Sequence, residues 1–148
     1  MTQIMNLIGQ KAKKASFEKI NTKIKNKVLK RYASLLDNKK KLILKANTKD
    51  IKFALEKGLK NNLIDRLTIN QKKLNDIRSS VNKIAKQKDP IDNILEKWSQ
   101  PNGLKITRVS IPIGVIGVIY ESRPNVTSDV ASLCFKSGNA VILKGGSE

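Results

Sequence analysis

The sequence has no histidine and a single cysteine, Cys134. The first absence excludes Ser-His and Cys-His catalysis and the common zinc sites. The second excludes an internal disulfide framework and a multi-cysteine metal centre, so no metal site is expected. Aromatic residues make up only 4% of the chain, too few for a base-stacking platform of the RRM or OB type. Long apolar runs are missing as well. The longest, 111–120, is interrupted by Pro112, Gly114 and Gly117, which excludes a membrane-spanning helix of about 18 or more apolar residues. The opening MTQIMNLIGQKAKK lacks a charged segment followed by an apolar core and is not a secretory signal. These features read together as a cytoplasmic protein.

Acidic residues are scarce, 12 against 30 basic ones, giving a formal charge of +18. That surplus invites a nucleic-acid-binding reading, but its distribution argues otherwise. The cations are mostly lysines scattered through the first hundred positions among Asn and Ile. Arginine, which reads guanine edges bidentately, occurs only at 31, 66, 78, 108 and 123. Solvated helix faces account for the pattern, and no specific nucleic-acid partner is expected. What remains is a chain of 148 residues with 39% hydrophobic content, enough for one ordinary domain with a sizeable core.

The first hundred residues read as helices. Ile20, Ile24, Val28, Tyr32 and Leu35 recur at helical spacing, and Leu42, Ile43 and Ala46 form a second stripe. Asn47 or Thr48 is expected to cap a short helix containing Ile51, Ala54 and Leu55, with Gly58 as its left-handed terminator. Thr68 and Gln71 have capping-box spacing, ahead of a face formed by Leu74, Ile77, Val81 and Ile84. Asp89-Pro90 ends that segment. Arg66 beside Asp65 reads as a structural pair. Around Trp98 the character changes: Pro101-Asn102-Gly103 signals a turn, and Lys105 to Ile111 an exposed strand. Gly114 to Tyr120 is apolar and β-branched on both faces, as in a strand buried within a parallel sheet. Ser122 to Asn125 is expected as a loop, Thr127 as the cap of a helix to about Ser137, and Ala140 to Leu143 as a second buried strand. Val130, Ala131, Leu133 and Cys134 mark the helix's apolar side. The expected fold is α/β: a helical segment over 1–97, a hairpin over 98–113, and the first βαβ unit of a cofactor-binding domain over 114–148. Two such strands cannot form a covered parallel sheet alone, so the sequence reads as a fragment.

The familiar nucleotide signatures are absent. Gly114 and Gly117 lie within a strand rather than at a strand-to-helix turn, and Lys144 precedes its glycines instead of following them. Two loops at the carboxyl ends of the expected strands, 120–126 and 144–148, could nevertheless receive a ligand on the same sheet edge. From residue chemistry alone, Asn125 is a loop asparagine bonding its own backbone, and Gly145-Gly146 is as often a plain turn as a place for close backbone approach.

The runs RVSIPIGVIGVIYESRPNVT (108–127) and LCFKSGNAVILKGGSE (133–148) resemble the gamma-glutamyl phosphate reductases, the proline-biosynthesis branch of the aldehyde dehydrogenase superfamily. Echoes upstream include Gly58-Leu59, 63–67, Asp89-Pro90, Trp98 and 102–104, so the resemblance covers nearly the whole chain. It implies an oxidoreductase, a glutamate-5-semialdehyde dehydrogenase that uses NADPH to reduce the small molecule L-glutamyl 5-phosphate to the semialdehyde. In that family a cysteine thiolate attacks the acyl phosphate, and hydride reduces the resulting thioester. The resemblance makes Asn125 the oxyanion-hole amide and Lys144 a ribose contact. It brings Ser147 or Glu148 near the ribose carboxylate position, and Tyr120 and Glu121 to the nicotinamide side. It offers Arg123 a phosphate or the substrate carboxylate, with a structural salt bridge as the alternative. Cys134, on an apolar helix side, does not match the family's nucleophile. The hairpin resembles strands that join subunits into a homo-oligomer. The rival readings are a catalytically inert assembly or binding module and a basic nucleic-acid binder.

Overall fold

The computed structural model describes residues 2–146. Six helices and four strands follow in the order α1 (Thr2–Ser16), α2 (Thr22–Asn38), α3 (Lys40–Glu56), α4 (Asn61–Leu67), α5 (Gln71–Lys86), β1 (Ile94–Ser99), β2 (Lys105–Val109), β3 (Val115–Ile119), α6 (Pro124–Lys136) and β4 (Ala140–Lys144). Among the described residues, no helix is long and apolar enough to cross a membrane.

Asparagine side chains start two of the helices. Asn21 accepts a hydrogen bond from the Ile24 amide (2.9 Å) and Asn70 from the Lys73 amide (2.8 Å), each satisfying an N–H that the helix leaves orphaned. The capping box expected at Thr68 is not formed, because the Thr68 hydroxyl donates backward to the Ile64 carbonyl and Asn70 takes the cap. Nor does Asn47 start a helix: α3 runs unbroken from Lys40 to Glu56. The Asn47 side chain is buried instead, donating to the Leu67 carbonyl (2.9 Å) and accepting from the Ile69 amide (2.6 Å). It therefore satisfies the backbone where α4 ends, a segment whose own polar groups lie outside any helix. Gly58 terminates α3 at φ 71° as expected.

The core lies where α2, α5 and α6 meet. Leu29 and Ala33 of α2 pack with Val81, Ile84 and Ala85 of α5, and Tyr32, Leu36 and Phe135 close around them. The two alanines permit close helix approach, and each large apolar side chain contributes about 1.5–3 kcal/mol by burial. The α5 face fits its expected stripe. The α2 face is rotated: Ile24, Val28 and Leu35 are 48%, 45% and 38% exposed, while Lys25, Leu29 and Ala33 are buried. In α3 likewise, Leu42 and Ala46 face solvent and Asn47 and Ala54 are buried. A wide apolar stripe sets which side turns inward but not which column centres the contact.

β1 and β2 form an antiparallel ribbon, with Trp98 opposite Ile106. β3 and β4 pair in parallel, Val115 with Ala140 through Ile119 with Lys144, and α1 and α6 both pack on this pair. β3 was expected to be buried on both faces, but its residues alternate between exposed and half-buried. β4, also expected to be buried, is half-buried from Ala140 to Leu143 and exposed at Lys144. The loop expected at 122–125 is shorter, since Pro124 occupies the first turn of α6, where its missing N–H costs nothing. Thr127 accordingly lies within the helix. The inward side of α6 is Ser128, Ser132, Cys134 and Lys136, with Leu133 49% exposed.

A buried ion pair joins these parts. The Lys25 ammonium lies 3.0 Å from Asp89 Oδ2, their side chains 4% and 13% exposed. Burial pushes the Asp89 carboxyl up, but hydrogen bonds from the Thr22 hydroxyl, Lys25 and the Ile91 amide outweigh it and hold the group below its ordinary value. A carboxyl depressed on folding contributes stability above its unfolded value near 3.9, and loses it as pH falls through the folded value. Asp89→Ala should therefore lower unfolding free energy at pH 7 by about 3–5 kcal/mol, because Lys25 is left buried and uncompensated. In denaturant titrations below about pH 4, the gap between parent and variant should narrow. Equal stability at neutral pH would refute this role for the pair.

Candidate functional site

Parallel pairing sets the carboxyl ends of β3 and β4 side by side, the edge at which open α/β sheets receive ligands. The Tyr120 amide extends the ladder to the Lys144 carbonyl at 3.0 Å. The Tyr120 hydroxyl is hydrogen-bonded to that of Thr127 on α6, which holds the phenol over the start of the helix. Its ring lies against Gly145, where an added Cβ would stand 3.8 Å away. Tyr120 and the Lys144–Gly145 backbone are thus neighbours. The Lys144 and Glu121 side chains are exposed at this edge. Ser147 and Glu148 lie outside the described residues.

The turn into α6 is sharp. Ser122 is buried with φ 47°, a left-handed conformation uncommon outside glycine. Arg123 follows as the exposed N-cap residue. Asn125, in the first helical turn, lines a cavity of about 290 Å³ between α6 and the α4–α5 corner, which neither Tyr120 nor Lys144 lines. Arg66, Lys73, Asp76, Ser80 and Asp129 also line it, with Ile69, Ile77 and Pro124 as apolar wall. One N–H of the Asn125 amide donates to Asp129 Oδ2 at 3.1 Å. The second remains to donate elsewhere. Among the described residues Arg66 forms no ion pair with Asp65; the Asp65 backbone carbonyl accepts from Lys73 Nζ at 2.7 Å.

The residues expected to act together therefore divide between two places: Tyr120, Glu121 and Lys144 at the sheet edge, and Asn125 in the cavity across the first turn of α6. Sequence reasoning missed Arg66, Asp76 and Asp129. The i,i+4 spacing of Asn125 and Asp129 on one helix was a usable signal, whereas nothing local links Arg66 to Asn125.

Cys134 is buried on the inner side of α6. Burial pushes its thiol above the ordinary value, which suppresses the thiolate that a nucleophile requires. Among the described residues, no group of three His, Cys, Asp or Glu is placed to hold a metal ion.

With this geometry in hand, the relatives of the chain are informative. No protein-family model matches it. Curated proteins called gamma-glutamyl phosphate reductase do: that of Persephonella marina is 49% identical over 130 residues, covering 88% of this chain and 29% of the relative. That of Moorella thermoacetica is 46% identical over 142 residues, covering 95% and 34%. Crystal structures of gamma-glutamyl phosphate reductase share the fold. The Thermotoga maritima protein superposes with a TM-score of 0.87 at 41% identity, over 93% of this chain and 34% of that one. The Saccharomyces cerevisiae protein gives 0.91 at 32% identity, over 95% and 36%. Over nearly all its length the chain is a relative of the gamma-glutamyl phosphate reductases, and it spans about a third of theirs.

The environment of Cys134 yields a direct test. A thiol-reactive chromogenic disulfide at neutral pH should label it slowly in the folded chain and rapidly in denaturant. Labelling of the native chain as fast as a free thiol would mean Cys134 is an accessible, ionisable group.

Proposed function

We propose that this chain forms the part of a gamma-glutamyl phosphate reductase that holds the acyl carbonyl and one edge of the nicotinamide cofactor. The observation carrying the proposal is sequence kinship over nearly the whole chain with proteins of that name. The reaction is the NADPH-dependent conversion of L-glutamyl 5-phosphate to glutamate 5-semialdehyde and phosphate, a step of proline biosynthesis. A thiolate attacks the acyl carbonyl and expels phosphate; hydride then reduces the thioester and frees the thiolate. That thiolate is not Cys134, the chain's one cysteine, so it comes from outside these 148 residues.

Asn125 has the chemistry for its part. Its amide is oriented by Asp129, and its remaining N–H can donate to the oxygen that gains charge in the tetrahedral intermediate. Lys144, exposed at the end of β4, suits the hydroxyls or phosphate of a nucleotide lying on the sheet edge, and Gly145-Gly146 lets backbone approach closely. The cofactor, when bound, supplies the hydride. Tyr120 and Glu121 would flank the nicotinamide, with Ser147 or Glu148 toward the ribose and Arg123 toward a phosphate or the substrate carboxylate. The division into a helical segment, a hairpin and the beginning of a cofactor domain follows from the same reading, as does a cytoplasmic location.

The exposed ribbon favours a second role beside the first. Every residue of β1 is exposed, among them Ile94 (55%), Leu95 (58%) and Trp98 (39%), and both edges of the ribbon have unpaired backbone groups. We infer that it pairs with the ribbon of another copy.

Two measurements test these readings. The chain alone should oxidise no NADPH with glutamyl phosphate. Joined to the remaining two-thirds of a curated relative, it should do so, with Asn125→Ala lowering kcat by about 10²–10³. An Asn125→Ala fusion of undiminished rate would remove Asn125 from the oxyanion site. For assembly, sedimentation of the same fusion should give an oligomer that Leu95→Lys with Trp98→Glu dissociates. A monomeric parent, or an oligomer indifferent to these changes, would reject the ribbon as the contact.

A further inference from the structure

The cavity beneath Asn125 contains more charge than an oxyanion site needs, and the arrangement of that charge is specific. Lys73 is committed, donating from Nζ to the Asp65 and Thr68 carbonyls at 2.7 Å each. Arg66 is not: among the described residues its guanidinium makes no hydrogen bond or ion pair. Asp129 lines the same space; its Oδ2 accepts from Asn125, and its Oδ1 is buried and accepts no hydrogen bond from a described residue. A free cation and a half-used buried anion thus line one cavity without pairing directly. An unsatisfied buried carboxylate oxygen costs free energy that a bound ammonium would recover.

We propose that this cavity seats the α-amino-acid head of the substrate. The Arg66 guanidinium takes the α-carboxylate bidentately, and the Asp129 carboxylate takes the α-ammonium. This rests on the function proposed above and adds the residues that select the substrate. Three features of the cavity decide it. Its charges balance, Arg66 and Lys73 against Asp76 and Asp129, which matches a zwitterion and not a phosphate dianion that both aspartates would repel. Its volume of about 290 Å³ is at the small end of the ligand-site range of roughly 300–1,000 Å³, suited to a metabolite and too small for a dinucleotide. It shares Asn125 with the proposed acyl site, so a substrate whose head is bound here presents its side-chain carbonyl to the same amide. Arg66 is the better choice than lysine for this task because its planar fork matches a carboxylate.

The test uses the fusion described above with freshly made acyl phosphates. Arg66→Met should raise KM for glutamyl phosphate about tenfold to a hundredfold, the worth of a charge-assisted contact, with kcat changed far less; Arg66→Lys should recover part of the loss. Glutaryl phosphate, which lacks the α-ammonium, should be a poorer substrate for the parent, and Asp129→Asn should bring the kcat/KM ratio of the two substrates toward one. Parent-like KM in Arg66→Met together with an unchanged substrate ratio in Asp129→Asn would overturn the proposal and leave the reductase reading intact. A fusion inactive on glutamyl phosphate would overturn that reading, and NMR titration of the chain with L-glutamate then decides the cavity. Shifts confined to amides of 66–80 and 124–129 retain it as an amino-acid site, and their absence overturns it too.

Discussion

The fold depends on one buried cation. Lys25 extends from α2 into a junction where four separate stretches of chain converge. Asp89, just past α5, supplies its counter-charge. The same carboxylate accepts from Thr22 and Ile91, so a single side chain fixes the start of α2 and the exit from α5. Gly138, at the end of α6, comes next. A Cβ there would stand 3.7 Å from the Lys25 ammonium and only 3.2 Å from Pro112, in the link between β2 and β3. Gly138 is required twice over, by that crowding and by its φ of 69°. A buried pair of this kind adds little stability relative to an apolar core, but breaking it is costly. Its value here is geometric: it joins the helices, the ribbon and the βαβ unit at one point.

Lys136 shows how the strongly basic composition is accommodated nearby. Burial pushes its ammonium below the ordinary value, Asp89 opposes that shift, and Lys25 adds to it. Its direct partners are the Asn26 side chain and the Ala85 carbonyl, neutral groups on α2 and α5. One aspartate therefore serves two buried lysines, the second through its field alone. The remaining lysines are overwhelmingly on solvated faces, where the surplus of positive charge is tolerated because water screens it.

How much of this the sequence discloses follows from the range of each signal. The α5 stripe, the left-handed Gly58, the turn after Ser99 and the βαβ order are local or periodic features, and they are legible. The centre of the α2 contact is not, because Val28 and Leu29 are equally apolar, and only the approach of α5 through Ala33 and Ala85 selects the column containing Leu29. Asn47 reads from the sequence as a helix cap and not as the clamp it is, since its partners lie 20 and 22 residues away. The candidate site divides in the same way. Lys144 follows from strand order and Asn125 from resemblance, while Arg66 enters only because α4 turns into α5 beside the start of α6.

That last juxtaposition links the core to the chemistry. Asn125 and Asp129 project from the first two turns of α6, whose later turns carry Phe135 and Lys136 into the packing with α2 and α5. Ile77, which walls the cavity, belongs to the buried face of α5. The cavity is therefore bounded by α4, α5, α6 and the short link between α4 and α5, and its charged groups all lie on the helices. Preorganisation of this kind is what lets a single amide stabilise developing charge, since nothing has to reorient as the charge appears. The sheet edge, by contrast, has exposed Lys144 followed by two successive glycines, which leave the backbone open to close approach. The two places thus differ in kind: one lies between packed helices, the other at an open strand end.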